Sequence, residues 1–241
     1  MDTETFRGTT PPSEQVRADA EAVMDALQRG GVAIVPLTVA YAIVGATPDA
    51  IRRIFDAKQR SYDKPSGMFA NITLSDAIHV LEPDKQRIAR RLLAEVGLPF
   101  SIVAPFRQDH PLIAKVDDFV LASSSLAGTL DMLLNAGPFH DAMADLALER
   151  SHLVFGSSAN TSLTGSKYTL ADIDPAVRAA ADIAFDYGRS KYANDQGRSS
   201  TIIDFRDWTV VRIGVEYAAL AAGFKDIAGV DLIITERTAG Q

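Results

Sequence analysis

Short apolar runs bounded by turn residues constrain this chain most. Val-Ala-Ile-Val-Pro (32–36), Tyr-Ala-Ile-Val-Gly (41–45), His-Leu-Val-Phe-Gly (152–156) and Ser-Thr-Ile-Ile-Asp-Phe (200–205) are too short for helices and read as buried strands. Residues 67–71, 99–105 and 209–213 join them, as do shorter runs at 119–122 and 181–186. Between them lie helical patterns. Ser13 is placed to cap a first helix carrying Val16, Ala20, Val23 and Leu27, which Gly30-Gly31 stops. Thr47-Pro48 opens a second, with Ile51, Ile54 and Phe55 on its buried stripe. Further helices are expected at 73–81 and 84–96, parted at Pro83, then at 125–135 and 140–150, parted at Gly137-Pro138, and around 169–181. Residues 216–241 carry little pattern.

Strands and helices alternate without a repeated βαβ unit. That favours an α/β fold with a mixed sheet flanked by helices over a doubly wound parallel sheet. No repeat or linker divides the 241 residues, so a single domain over 1–241 is expected. Its core runs from about 15 to 214, with 1–12 as a flexible lead-in and 215–241 as a C-terminal extension.

Apolar residues make up 47% of the chain, enough for a sizeable core, and the formal net charge is −7. That acidic balance argues against direct nucleic-acid binding, yet leaves room for a local basic pocket. There is no cysteine, so disulfides, thiolate catalysis and cysteine-ligated metals are excluded. The histidines at 79, 110, 140 and 152 show no zinc-ligand spacing, and no protein-held metal site is expected. The polar N-terminus has no apolar signal core, and no run is long enough to span a membrane. A cytoplasmic location is therefore expected.

Three segments can carry chemistry. Lys58, Arg60 and Lys64 fall within seven residues, ahead of Pro65. Spacing alone allows a solvated charged turn. It equally allows a phosphate clamp, with lysine as point charge and arginine as planar fork. Ser157-Ser158-Ala159-Asn160 follows a buried strand, where α/β folds commonly bind ligands, although serine and asparagine are also ordinary turn residues. A nucleophile elbow at Gly156 lacks its second glycine. Ser200-Thr201 opens a strand, with Arg212 and Gly214 beyond.

In order along the chain, these segments resemble the YrdC-like family, which includes threonylcarbamoyl-AMP synthases. Pro36–Ala42 stands where the family has P-T-D-T-V-Y-G. Residues 57–65 resemble its K-x-R-x-x-x-K-P loop, 98–103 its G-P-L-T-L-V strand, and 157–165 its P-S-A-N-x-S-G turn. Residues 185–188, 200–204 and 211–214 resemble its D-G-G, S-T-V-V-D and L-R-P-G. The resemblance implies a twisted mixed sheet around a basic central cavity. It also implies a reaction in which L-threonine, bicarbonate and ATP, accompanied by Mg2+, become threonylcarbamoyl-AMP and pyrophosphate, feeding tRNA modification. Lys58, Arg60 and Lys64 are then the catalytic, phosphate-holding set. Ser101, Ser158, Asn160 and Ser200 would contact nucleotide or phosphate, Arg212 would close the site, Tyr41 would line the amino-acid pocket, and Thr38 would contact substrate or nucleotide. The partners implied are small molecules, with homodimerisation left open.

Three departures bear on the substrate. Val39 and Thr38 replace the family's second threonine and its aspartate, Ala42 replaces a glycine, and Ser123-Ser124-Ser125 aligns with an R-V-P segment, removing an arginine. A site discriminates through such polar groups. Residues 135–140 also faintly resemble the segment at this place in hydrogenase-maturation carbamoyltransferases. Two alternatives therefore stand beside the synthase: a related carbamoyl-adenylating or carbamoyl-transfer enzyme with another substrate, and a nucleotide-binding module without catalysis.

Overall fold

The computed structural model describes residues 11–235; most of the expected lead-in and the last six residues lie outside them. Helix α1 (Ser13–Gln28) leads to β1 (Ala33–Val35) and β2 (Ala42–Gly45). Pro12 stands at its N-cap, so Ser13 is the first helical residue and makes no side-chain cap. Helix α2 (Pro48–Ala57) starts as its sequence dictates: the Ala50 N–H donates to the Thr47 hydroxyl at 3.4 Å, and Pro48 takes the first turn, where no N–H is needed. Next come β3 (Gly67–Phe69), α3 (Ile72–Ile78), α4 (Pro83–Arg91), a π-helical turn (Leu92–Val96) and β4 (Phe100–Pro105).

The following stretch departs from the sequence reading. Residues expected as a strand form helix α5 (Asp118–Ala122), because the Asp117 carboxylate caps it, accepting the Phe119 N–H at 2.8 Å. Residues 125–135, expected as a helix, instead form β5 (Ser125–Leu126) and β6 (Thr129–Leu134). Ala127 and Gly128 join them with φ of 49° and 75°, the two-residue positive-φ turn that matches strand twist. Leu130, Met132 and Leu134 then face one core while Asp131 and Leu133 face the other side, a period of two that the leucine-rich run conceals.

Helix α6 (Pro138–Glu149), β7 (Phe155–Ser158), α7 (Pro175–Ala179), β8 (Ile183–Ala184), β9 (Thr201–Asp204), β10 (Thr209–Arg212) and α8 (Tyr217–Ala228) complete the order. Pro175, at the first turn, confines the helix expected over 169–181 to the five residues Pro175–Ala179. The weakly patterned tail holds α8, whose Leu220 and Phe224 enter the core.

Ten strands among the described residues form one mixed sheet in the order β10-β9-β4-β6-β3-β7-β2-β1-β8, with β5 hanging from β6. Strands β4 and β9 run parallel, as do β3 and β6, whereas β4–β6, β3–β7 and β2–β7 are antiparallel. Helices α2, α3, α4 and α8 bury one face over Phe100, Ile102, Met132 and Ile203. Helices α1 and α6 cover the other over Val35, Val44 and Phe69. Each large apolar side chain buried this way contributes roughly 1.5–3 kcal/mol. On the second face the helical cover stops short of β4 and β9, and the functional residues gather on that bare stretch. No helix among the described residues is long and apolar enough to cross a membrane.

Candidate active site

The bare stretch of sheet floors a cavity of about 140 Å³. Strand alternation supplies its floor: Ser101 from β4 and Asp131 and Leu133 from β6, with Ser101 directly opposite Leu133 across the ladder. Ile202 of β9 adjoins Ser101, and Phe69 of β3 adjoins Leu133. Around the rim stand Arg60, Ser157, Ser158, Ser200 and Arg212.

Two guanidiniums dominate the electrostatics. Arg60 closes its own loop: its Nε donates to the Lys64 carbonyl at 3.0 Å and its Nη2 to the Pro65 carbonyl at 2.7 Å. Arg212 Nη2 donates to the Ser200 carbonyl at 2.8 Å and to the Ser200 hydroxyl at 3.2 Å. Burial lowers the pKa of both, and Arg60 is lowered further by the charge of Arg212. Two partly desolvated cations, hydrogen-bonded to protein carbonyls and the Ser200 hydroxyl and ion-paired with no carboxylate among the described residues, make a strong anion site.

Asp131 shares the cavity and was not singled out from sequence, since a helix was expected there. Burial raises its carboxyl pKa, against the pull of Arg212, a hydrogen bond from Ser101 and the charge of Arg60. It forms no ion pair within 4 Å.

Glycine is required twice at the site. A Cβ on Gly156, at the start of the serine turn, would stand 2.3 Å from the Ile43 carbonyl oxygen. One on Gly214 would stand 2.1 Å from the Thr201 nitrogen, and the Gly214 N–H instead donates to the Thr201 hydroxyl at 3.0 Å. Both close approaches hold a backbone edge of the cavity in place.

A second cavity of about 380 Å³ adjoins the first, and Leu37 and Tyr41 line both. That volume falls within the roughly 300–1,000 Å³ typical of small-molecule sites. Thr38, Phe139, Tyr187, Ser190, Arg189 and Lys191 are among its walls. The Tyr41 hydroxyl lies 2.7 Å from Asp186 Oδ1 and 2.8 Å from the Gly188 carbonyl, and accepts the Tyr187 N–H at 3.0 Å, pinning the loop that follows β8. Burial and the Asp186 bond push its phenol pKa up.

Four buried polar atoms without a hydrogen-bond partner lie on the walls of these two cavities: Thr38 Oγ1 and Ser190 Oγ in the larger, Asp131 Oδ1 and Ser157 Oγ in the smaller. Unpaired buried polar atoms are costly, and the presence of four of them on residues lining two adjoining hollows marks both as places for a polar ligand.

Of the residues expected from sequence, Arg60, Ser101, Ser158, Ser200, Arg212 and Tyr41 line the smaller cavity, and Thr38 and Tyr41 the larger. Lys58 and Asn160 are brought near without lining either. Lys58 is buried at the end of α2, its Nζ donating to the carbonyls of Ser158 and Asn160, the latter at 2.6 Å. Burial, then the charge of Arg60, lower its pKa to about 7. Asn160 Oδ1 accepts from the Ser158 hydroxyl, and its Nδ2 donates to the Thr161 carbonyl at 2.6 Å, so both side chains shape the turn from within. Lys64 is exposed on the loop that Arg60 closes. Ser123–Ser125, aligned by sequence with an arginine-bearing segment, lie at the end of α5 and the start of β5, outside both cavities. The strand that crosses the site is β6, and its cavity residues are Asp131 and Leu133. Ser157, part of the serine turn singled out from sequence, also lines the smaller cavity; Arg189, Ser190 and Lys191 were missed, because they sit in a loop whose composition is that of an ordinary turn.

Among solved structures, a hypothetical protein, smu.1377c from Streptococcus mutans UA159, superposes with a TM-score of 0.73 at 16% identity, over 88% of this chain and 93% of that one. Sua5 of P. abyssi, complexed with L-threonine, gives 0.70 at 17% identity, over 97% of this chain and 62% of that one. YciO of E. coli gives 0.57 at 13% identity, covering 83% and 87%. These likenesses establish the fold. No curated protein sequence matches the chain. The Sua5/YciO/YrdC family model, described as "Telomere recombination", matches residues 25–214, spanning every strand and both cavities. The chain therefore belongs to the Sua5/YciO/YrdC family.

Proposed function

We propose that this protein is an ATP-dependent carbamoyl-adenylate synthase that makes L-threonylcarbamoyl-AMP. The observation that carries the reading is the pair of adjoining cavities, one small and flanked by Arg60 and Arg212, the other larger, with Tyr41 lining both. The threonine held by the P. abyssi Sua5 structure supports the choice of amino acid.

The larger cavity takes the nucleoside of Mg-ATP, with Arg189 and Lys191 at its wall for the phosphates. The smaller takes the amino acid and bicarbonate. The amine attacks the carbon of bicarbonate, a C–N bond forms and water leaves, giving an N-carboxylated amino acid. An oxygen of that carbamate then attacks the α-phosphorus, and the bond to the β-phosphate breaks to release pyrophosphate. Arg60 and Arg212 hold the amino acid's carboxylate and the α-phosphate together, and Ser101, Ser157, Ser158 and Ser200 supply hydrogen bonds around the reacting groups. Positioning and charge stabilisation supply the rate. Lys58 and Asn160 hold the serine turn, and Lys64 meets the leaving pyrophosphate. Among the described residues no cluster of three or more histidine, aspartate or glutamate side chains could hold a metal ion, so magnesium enters as part of the nucleotide substrate.

A second reading, a carbamoyl-adenylating enzyme for another amine, is favoured by one feature: Leu133 and Asp131, rather than a third cation, face the small cavity from β6. Pyrophosphate release from ATP, magnesium and bicarbonate, measured across the L-amino acids, tests both. Turnover with threonine supports the synthase, and turnover with a different amine supports the second reading. No turnover with any overturns both.

A further inference from the structure

Asp131 is the unexplained group of the small cavity. A site meant only for phosphate would gain nothing from a carboxylate on its floor, which weakens every anion bound there. Nor does Asp131 serve as partner to the arginines: it lies within their electrostatic reach but forms an ion pair with neither. Its Oδ1 is buried without a hydrogen-bond partner. Its flank is also left clear. Gly67 on the neighbouring strand has no side chain, and a Cβ there would sit 3.5 Å from Asp131 Oδ2. Leu133, two residues along the same strand, brings apolar surface and no competing charge. The cavity is thus bipolar, a carboxylate on the floor and two guanidiniums at the rim.

We propose that Asp131 is the specificity-determining residue of this cavity, receiving the ammonium group of an α-amino acid whose carboxylate turns toward Arg60 and Arg212. A carboxylate with one oxygen lacking a donor and two guanidiniums without an ion-pair partner are satisfied together by a zwitterion. Neither a phosphate nor a simple carboxylate satisfies all three. The same contact holds the amine at the floor until it gives up its proton for carbamate formation.

The inference rests on the amino-acid half of the proposed function, and binding measured without ATP separates the two. Calorimetry with the full chain compares each L-amino acid with its N-acetyl derivative, which keeps the carboxylate and loses the ammonium. The amino acid that binds best, threonine being expected, should lose at least tenfold in affinity on acetylation. Asp131→Asn should weaken that amino acid at least tenfold while leaving inorganic pyrophosphate bound as tightly or more so, and Asp131→Glu should recover part of the loss. Equal affinity for the acetylated form, an Asp131→Asn variant that binds the amino acid as wild type does, or an equal loss of amino acid and pyrophosphate would each overturn the inference. So would the failure of every amino acid to bind. The acetylation comparison needs only the wild-type chain, so a variant that fails to fold leaves it decisive. Amine-dependent binding without pyrophosphate release would defeat the proposed reaction alone. Turnover indifferent to Asp131→Asn would defeat this inference alone.

Discussion

Lys58 Nζ lies 2.6 Å from the carbonyl oxygen of Asn160, with the Ser158 carbonyl also accepting from it and Asn160 Oδ1 at 3.4 Å. The basic loop and the serine turn, about a hundred residues apart in sequence, are thus tied from below. Lysine is suited to the task because one Nζ carries several rotatable donors.

Removing that tie should act first on structure. In Lys58→Ala the buried Asn160 carbonyl loses its donor, at about 1–3 kcal/mol for a group left unsatisfied, while the Ser158 carbonyl keeps only the Asn160 N–H at 2.9 Å. For a chain of this size each kcal/mol lowers Tm by roughly 2–4 °C. The variant should melt several degrees lower and lose pyrophosphate release, because Ser158 drifts from the cavity rim. A variant with unchanged Tm and selectively lost nucleotide affinity would instead put Lys58 in direct contact with ligand.

That relationship also shows what was legible in the sequence. The K-x-R loop and the S-x-N turn stand out as residue types, and their convergence follows once the family resemblance is seen. Whether a given side chain faces ligand or supports another does not follow, because composition says nothing of direction. Lys58 points under the turn while Arg60, two residues on, reaches the cavity. Strand β6 was hidden for a different reason: Leu130, Leu133 and Leu134 satisfy a helical spacing while Leu130, Met132 and Leu134 satisfy an alternating one, and only the Ala127-Gly128 turn decides between them. With β6 read as helix, Asp131 could not be placed on the floor of a cavity.

Gly214 should tolerate no side chain. The Cβ of Gly214→Ala would fall 2.1 Å from the Thr201 nitrogen and 2.2 Å from the Ser200 carbonyl carbon, and backbone cannot give way as a side-chain tip does. Overpacking of this kind costs about 1–3 kcal/mol or more. The start of β9 must shift, and with it Ser200, so thermal melting should show lower stability and pyrophosphate release should fall together. Normal Tm and activity would show that the β9–β10 return adapts.

His79 should make the fold acid-sensitive above the carboxylate range. It is fully buried between the Ser75 hydroxyl, 3.0 Å from Nδ1, and the Leu130 carbonyl, 3.1 Å from Nε2, and burial lowers its pKa to about 4. Between pH 4 and the ordinary value near 6.5 the unfolded chain binds the extra proton, so stability falls as pH falls through that window and levels off below it. The shift corresponds to about 3 kcal/mol. Urea unfolding at pH 6.5 and pH 4.5 should show a smaller loss in His79→Gln than in wild type; equal losses would assign the acid sensitivity elsewhere.

Arg60 should not accept lysine. Its fork donates to the Lys64 carbonyl at 3.0 Å and the Pro65 carbonyl at 2.7 Å while its charge faces the small cavity, and the guanidinium lies 5.7 Å from the centre of the Phe55 ring. Lysine keeps the charge but not the plane, so it can hold the loop or meet a ligand anion, not both. Half-exposed polar contacts contribute little to folding, so Arg60→Lys should lower stability by no more than about 1 kcal/mol. Turnover should fall much further, by tenfold or more, with the loss in kcat if the fork serves the transition state and in KM if it serves ground-state binding alone. Full activity in Arg60→Lys would mean that the cavity needs only a positive charge at this position, and the role assigned to the planar fork would fall.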